Sequence, residues 1–355
     1  MNPLYTEQSL STQTAYAQLF DAALGAEHVR GFSDLQGSFN EKVVKGRKYW
    51  YFQFTEPSGK LHQLYVGPDS EPVQRLMAQK DSPSAAAALG PLARSAIALG
   101  CAAVLPRHYR VIRRLADYGF FRAGGVLIGT HAFLAFGNSL GVRWGDASRT
   151  QDIDFAHAGK SLTLLLPNNV EVKTDEAITS LEMGFLPVSG LSGKTGGTCL
   201  IPSEPEFRLD FLTPLHRGGD TPYKHPQLHV TLQPLPFMEF SQEKVEQSVL
   251  FCSQGAVLVN VPSPERYALH KLVVYGERSG TFRVKSAKDL VQSACLLNFL
   301  WDHRRESLEE ALSDILARGK AWRTRLTQGA GALHKTHPEM PAGRWLVEAT
   351  TSSRG

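Results

Sequence analysis

Cysteine is scarce. Only Cys101, Cys199, Cys252 and Cys295 occur in 355 residues. Their wide separation excludes the close spacing of a zinc site or a dense disulfide framework, which points to a reducing, cytoplasmic setting. Long apolar runs are also missing. The most apolar stretch, Ala93 to Leu105, includes Arg94 and falls short of the roughly 18–20 residues that span a bilayer, so no membrane partner is expected. The opening MNPLYTEQSLSTQTAYAQ has no basic start followed by an apolar segment, and no secretory signal is read there. Nor is there an excess of one charge: 38 Lys+Arg against 34 Asp+Glu leave +4, which does not by itself mark a binder of polyanions.

What is present is the composition of a folded chain, 42% hydrophobic and 20% charged, rather than of a disordered one. The length favours two or three domains. Residues 9–25 read as a helix with Tyr16, Leu19, Phe20 and Leu24 on one stripe. Two aromatic runs, Lys48–Phe54 and Lys60–Val66, flank a Glu56-Pro-Ser-Gly59 turn and read as a β-hairpin. A helix is expected near Glu71–Lys80 and a linker over Asp81–Pro91. Residues 92–118 read as helix broken at Pro106. Strands are expected at Gly124–Gly129, Gln151–Phe155, Phe207–Leu212, Leu228–Leu232, Pro236–Phe240, Ser248–Ser253 and Ala256–Val261, with an apolar segment at Ser161–Leu166 and a helix at Asp175–Met183. From Ser263 onward the pattern is helical: 263–278, 287–304 and 307–326. The division this suggests is a helix-plus-hairpin module over 1–85, an α/β (α+β) core over 86–261 and a helical domain over 262–355.

The informative segment runs from Gly129-Thr130 to Asp152-Ile153-Asp154. Residues i and i+2 of a strand share a side, so Asp152 and Asp154 project together. Two carboxylates held side by side repel unless a cation lies between them, and Mg²⁺ suits carboxylates together with phosphate oxygens. Asp210 lies mid-strand in Phe207–Leu212. If that strand runs beside the first, three carboxylates converge as a two-metal site requires. Gly129-Thr130 falls where a strand turns into a helix, an end whose free amides accept phosphate. The missing side chain of Gly129 permits close approach, and the Thr130 hydroxyl adds a donor.

This Gly-Thr, helix and Arg149-Thr150-Gln151-Asp152-Ile153-Asp154-Phe155 order resembles the signature of the polymerase-β-like nucleotidyltransferase superfamily. The likeness is greatest to bacterial minimal and AbiEii-like nucleotidyltransferases. It extends to Pro262-Ser-Pro-Glu265, His270-Lys271-Leu272 and Lys288-Asp289-Leu290, and to the Gly46-Arg-Lys-Tyr-Trp-Tyr and Tyr65-Val-Gly-Pro68 segments of the hairpin. Thr130 stands where the superfamily has Ser, and Gly129 lies further from Asp152 than in minimal members. The resemblance implies a mixed β-sheet core and transfer of a nucleoside monophosphate from an NTP or dNTP to a hydroxyl of RNA, DNA, protein or another nucleotide. It implies two Mg²⁺ ions, with Mn²⁺ as an alternative, on Asp152, Asp154 and Asp210. Gly129, Thr130, Lys271 and Lys288 are the implied nucleotide-binding residues. A toxin or anti-phage setting, with a cognate antitoxin or effector protein, follows from the same likeness. The competing reading is a catalytically idle nucleotide- or nucleic-acid-binding module that works through a partner.

Plainer readings stand beside these. Lys271 can be a solvated helix lysine, and Lys288 with Asp289 a structural ion pair. Gly193-Lys194-Thr195 lacks the glycine of a Walker loop, since Val188 occupies that place, and reads as a turn. His131 and His157 flank the motif without ligand spacing, which suggests packing or supporting roles. Trp50, Phe52 and Phe54 can stack bases or form a small core. The charge is unevenly distributed: residues 150–210 hold nine acidic and four basic side chains, whereas 105–125 hold five Arg against Asp117. An acidic centre beside basic flanks suits a site for cations and a polyanionic triphosphate.

Overall fold

The computed structural model describes residues 3–28, 37–55, 61–81, 85–145, 152–157, 172–189, 195–215, 219–278 and 283–352. Tyr5–Glu7 forms strand β1 and Leu10–His28 helix α1, whose Ala15, Tyr16, Leu19 and Ala23 recur at helical spacing and are buried. The aromatic segment contains three antiparallel strands rather than two: β2 (Ser38–Val44), β3 (Arg47–Thr55) and β4 (Leu61–Pro68). Lys45 and Gly46, both at positive φ, make the two-residue turn between β2 and β3. The Asn-Glu-Lys centre of β2 carries no strand signal of its own. The expected turn at 56–59 lies outside the described residues.

Helix α2 (Glu71–Asp81) follows. The segment read as a linker instead contains a 3₁₀ turn at Ala85–Ala88 that leads directly into α3 (Leu89–Ala98), as a run of four alanines favours. Helix α4 (Pro106–Asp117) begins on its proline, where the missing N–H costs nothing. Then come β5 (Gly125–Ile128), α5 (Gly129–Ser139), β6 (Val142–Trp144), β7 (Ile153–His157), α6 (Thr174–Thr179), β8 (Leu186–Ser189), β9 (Thr195–Ile201), β10 (Glu204–Pro214), β11 (Tyr223–His225) and β12 (Val230–Leu235). Ser161–Leu166 and Gly193-Lys194 lie outside the described residues.

Pro236–Phe240 is not the expected strand. Pro234 and Pro236 remove ladder donors, and Glu239–Gln242 forms a single helical turn, α7. β13 (Val245–Cys252) and β14 (Gly255–Pro262) make a hairpin, followed by α8 (Pro264–Glu277), α9 (Arg283–His303), α10 (Arg305–Ala317), α11 (Lys320–Thr336) and α12 (Pro341–Ser352). The single helix expected over 307–326 is two, because Gly319 at φ 103° ends the turn between α10 and α11.

The central sheet is mixed. β7 lies between antiparallel β5 and parallel β10; β10 pairs with β9 along its first half and with parallel β12 at its end. On β10, Phe207, Leu209 and Phe211 are buried while Arg208 and Asp210 emerge on the opposite side, the period-two alternation read in the sequence. One core runs from this sheet through α4 and α5 into the C-terminal helices. A second joins α1 and α3 to Val249, Phe251 and Ala256, so the β13–β14 hairpin is buried on both faces. Among the described residues no helix is long and apolar enough to cross a membrane.

Candidate active site

The register of β7 against β10 places Asp154 directly opposite Asp210, and alternation carries Asp152 to the same side. Asp152, Asp154 and Asp210 each offer an oxygen within 4.8 Å of the others, and all three are half-buried. Anions this close repel one another. A cation from the chain itself sits among them: Arg208 Nε is 3.0 Å from Asp210 Oδ2, and its Nη2 is 3.6 Å from Asp152 Oδ2. Thr198 on β9 donates to Asp210 Oδ1 at 2.6 Å. The donor set consists of carboxylate oxygens alone, which fits a hard divalent cation such as Mg²⁺ or Mn²⁺ rather than a thiophilic metal.

Gly129 closes the other side. Its φ is +63°, and a Cβ there would lie 2.1 Å from Asp154 Oδ2, so only glycine lets the strand-to-helix turn approach the carboxylate. Ile128, which pairs with Asp154 across β5 and β7, caps α5 without a side-chain hydrogen bond. Thr130 is buried, with Gln292 Nε2 3.4 Å from its hydroxyl. The Tyr267 hydroxyl lies 2.9 Å from both the Gly129 carbonyl and Gln292 Oε1, so α8 and α9 brace the Gly-Thr turn. Arg149, Thr150 and Gln151 lie outside the described residues.

The two lysines differ. Lys271 donates to Asp289 at 2.7 Å, and Arg278 holds the other oxygen of that carboxylate. Burial pulls the Lys271 ammonium down, but Asp289 and the nearby Tyr267 and Asp154 outweigh it and the net shift is upward. Its charge is therefore secure. Lys288 is lowered by burial, against the pull of Asp152 and Asp154. Asp289 thus serves Lys271 and Arg278, a partnership that adjacency in sequence does not suggest.

His131 is buried beside the turn, its Nε2 3.0 Å from His108 Nδ1, while His157 Nε2 contacts the Ala123 carbonyl at 2.9 Å. Burial holds all three neutral, pulling His131 to about 3 and His108 and His157 to about 4. Two arginines of α4 have partners within the chain: Arg107 pairs with Glu204 at 2.9 Å and Arg110 donates to the Leu181 carbonyl at 2.6 Å. Arg208, Thr198, Tyr267 and Gln292 escaped the sequence reading. Arg208 carried a usable signal, two residues before Asp210 in an alternating strand. The others depend on which strands and helices dock.

A mixed sheet bearing three clustered carboxylates behind a glycine-led helix is the arrangement of a nucleotidyl-transferring enzyme. The chain belongs to the nucleotidyltransferase family, whose model matches residues 107–317. Among solved structures it is similar to an antigenic nucleotidyltransferase-like protein from Paracoccidioides brasiliensis, at 14% identity, covering 64% of this chain and 95% of that one with a TM-score of 0.29. None of the curated proteins matches the chain.

Proposed function

We propose that the protein transfers a nucleoside monophosphate from an NTP or dNTP to an acceptor hydroxyl, with pyrophosphate leaving. The observation that carries this is the convergence of Asp152, Asp154 and Asp210 within 4.8 Å, against the uncapped start of α5. Asp152 and Asp154 would hold two divalent ions, Mg²⁺ or Mn²⁺, and Asp210 would complete one of the sites. Such ions, when bound, supply charge stabilisation at the attacking and leaving oxygens. Asp210 is also the base for the acceptor proton, oriented by Thr198. Amides at Gly129 and Thr130 bind phosphate oxygens. Lys288, facing Asp152 and Asp154, and Lys271, kept charged by Asp289, oppose the negative charge of the triphosphate.

The test is pyrophosphate release by purified protein with Mg²⁺ and each NTP and dNTP in turn. Asp154→Ala should lower the rate at least about a hundredfold, the scale seen when one preorganised electrostatic group is removed, and a chelator should do the same to the wild type. Undiminished release from both Asp152→Ala and Asp154→Ala defeats the assignment, and nucleotide binding indifferent to Mg²⁺ favours the idle module. The biological setting we propose is a toxin or anti-phage system with a protein antitoxin or effector, supported by the Arg-Thr-x-Asp-Ile-Asp run. Growth arrest on expressing the wild type but not Asp154→Ala is its signature.

A further inference from the structure

The β2–β3–β4 sheet has two unlike faces. Trp50, Phe52 and Phe54 share one; Phe52 is buried on it, and Trp50 is tied to Asp69, two residues before α2. The register puts a different set on the other: Asn40, Lys42 and Val44 from β2, Arg47, Tyr49, Tyr51 and Gln53 from β3, and Leu61, Gln63 and Tyr65 from β4. Lys42, Arg47, Leu61, Gln63 and Tyr65 are exposed, Tyr65 to 57%, and Tyr49 and Tyr51 are half-exposed. Tyr65 lies 5.5 Å from Tyr51 and 6.2 Å from Tyr49, ring centre to ring centre. The amides form a row beside the rings, with Gln53 Oε1 accepting from Asn40 at 2.8 Å and from Gln63 at 2.9 Å. Lys42 Nζ sits 4.4 Å above the Tyr51 ring, and Lys45 tops the β2–β3 turn. Among the described residues this face carries no carboxylate.

We propose that this tyrosine face binds single-stranded nucleic acid. Each part of the surface matches one part of that ligand. Aromatic rings offer stacking planes to unpaired bases, amides offer donors and acceptors to base edges, and Lys42, Lys45 and Arg47 attract the phosphates that run alongside. A duplex hides its bases in the stack and would gain only the cations. A face of rings and cations without any acid is complementary to a polyanion with exposed bases. It is a poor match for a typical protein surface of mixed charge. The role of the bound strand, as the molecule that presents the acceptor hydroxyl, rests on the transfer activity proposed above; the binding itself does not.

The experiment is a fluorescence-anisotropy titration of the full chain with labelled single-stranded RNA, single-stranded DNA and the matching duplex, without nucleotide and with chelator present. The wild type should bind single strands more tightly than duplex. Tyr49→Ala combined with Tyr65→Ala should weaken binding about thirtyfold or more, the lower end of what two stacked bases contribute, while the Tyr→Phe pair retains it. Arg47→Gln should lessen the salt dependence by about one unit of slope. RNA and DNA arms that differ identify which sugar is preferred. Equal binding by the alanine pair and the wild type, or no binding of any single strand at low salt, overturns the proposal. A chain that binds single strands yet releases no pyrophosphate overturns the transfer reading alone. Pyrophosphate release with no affinity for single strands overturns the surface alone.

Discussion

A methyl group on Gly129 would need the space that Asp154 Oδ2 occupies, and it would also have to tolerate φ of +63°. Gly129→Ala is therefore expected to push the turn and the carboxylate apart while leaving the distant cores in place. Displacement of a reacting group by about 1 Å costs about a hundredfold in rate, so pyrophosphate release should fall to that extent with little change in circular dichroism. Wild-type turnover in this variant contradicts the placement of the phosphate cradle. Much of this site was legible beforehand. Asp152, Asp154 and Asp210 lie in segments whose alternation sets their direction, and Gly129 lies between an apolar strand and a helix. Tyr267 and Gln292 were not legible, because a helical residue shows its direction only once the helix has docked. The partners of Asp289 were hidden for the same reason: Lys271 and Arg278 reach it from another helix and its end.

Between elements, two glycines mark a close approach of α8 and α11 in the helical half. A Cβ on Gly329 of α11 would stand 2.3 Å from the Leu272 carbonyl of α8, and one on Gly276 of α8 would stand 2.4 Å from the Arg325 carbonyl of α11. Backbone cannot yield as a side-chain tip does. Gly329→Ala should destabilise the protein by about 1–3 kcal/mol, the usual cost of overpacking, measured by urea unfolding. A change within about 0.5 kcal/mol, typical of surface sites, contradicts the contact. Because α8 carries Tyr267 and Lys271, this contact also helps to hold the Gly-Thr turn. Helices α1 and α4 and strand β10 showed themselves in the sequence through hydrophobic period, whereas β2, β9 and α12 did not. The short strands β1 and β6 did not, since three residues hold no period and their pairing joins Tyr5 to Trp144.

The whole molecule stores several neutral histidines. Burial pulls His108, His157 and His270 to about 4 and His131 to about 3, against about 6.5 in an unfolded chain. With folded values depressed, stability is complete above pH 6.5 and is lost as pH falls toward 4, because the unfolded state takes up the protons first. Each histidine should cost on the order of 1–2 kcal/mol between pH 7 and pH 5. The urea midpoint should therefore drop across that range, and a flat profile contradicts the buried, neutral assignment. The net charge of +4 gives no hint of this, since it counts histidine as neutral in both states.

The hairpin that walls both cores also sets a timetable. Helix α1 is synthesised well before that hairpin, since Tyr16 bonds to Ser248, 232 residues later. At synthesis rates of about 5–20 residues per second, Tyr16 waits roughly 10–50 s for its partner on that hairpin. During that interval α1 has α3 to pack on but not the β13–β14 hairpin that completes their core. The fraction of chain that reaches the folded state then depends on that wait as well as on equilibrium stability.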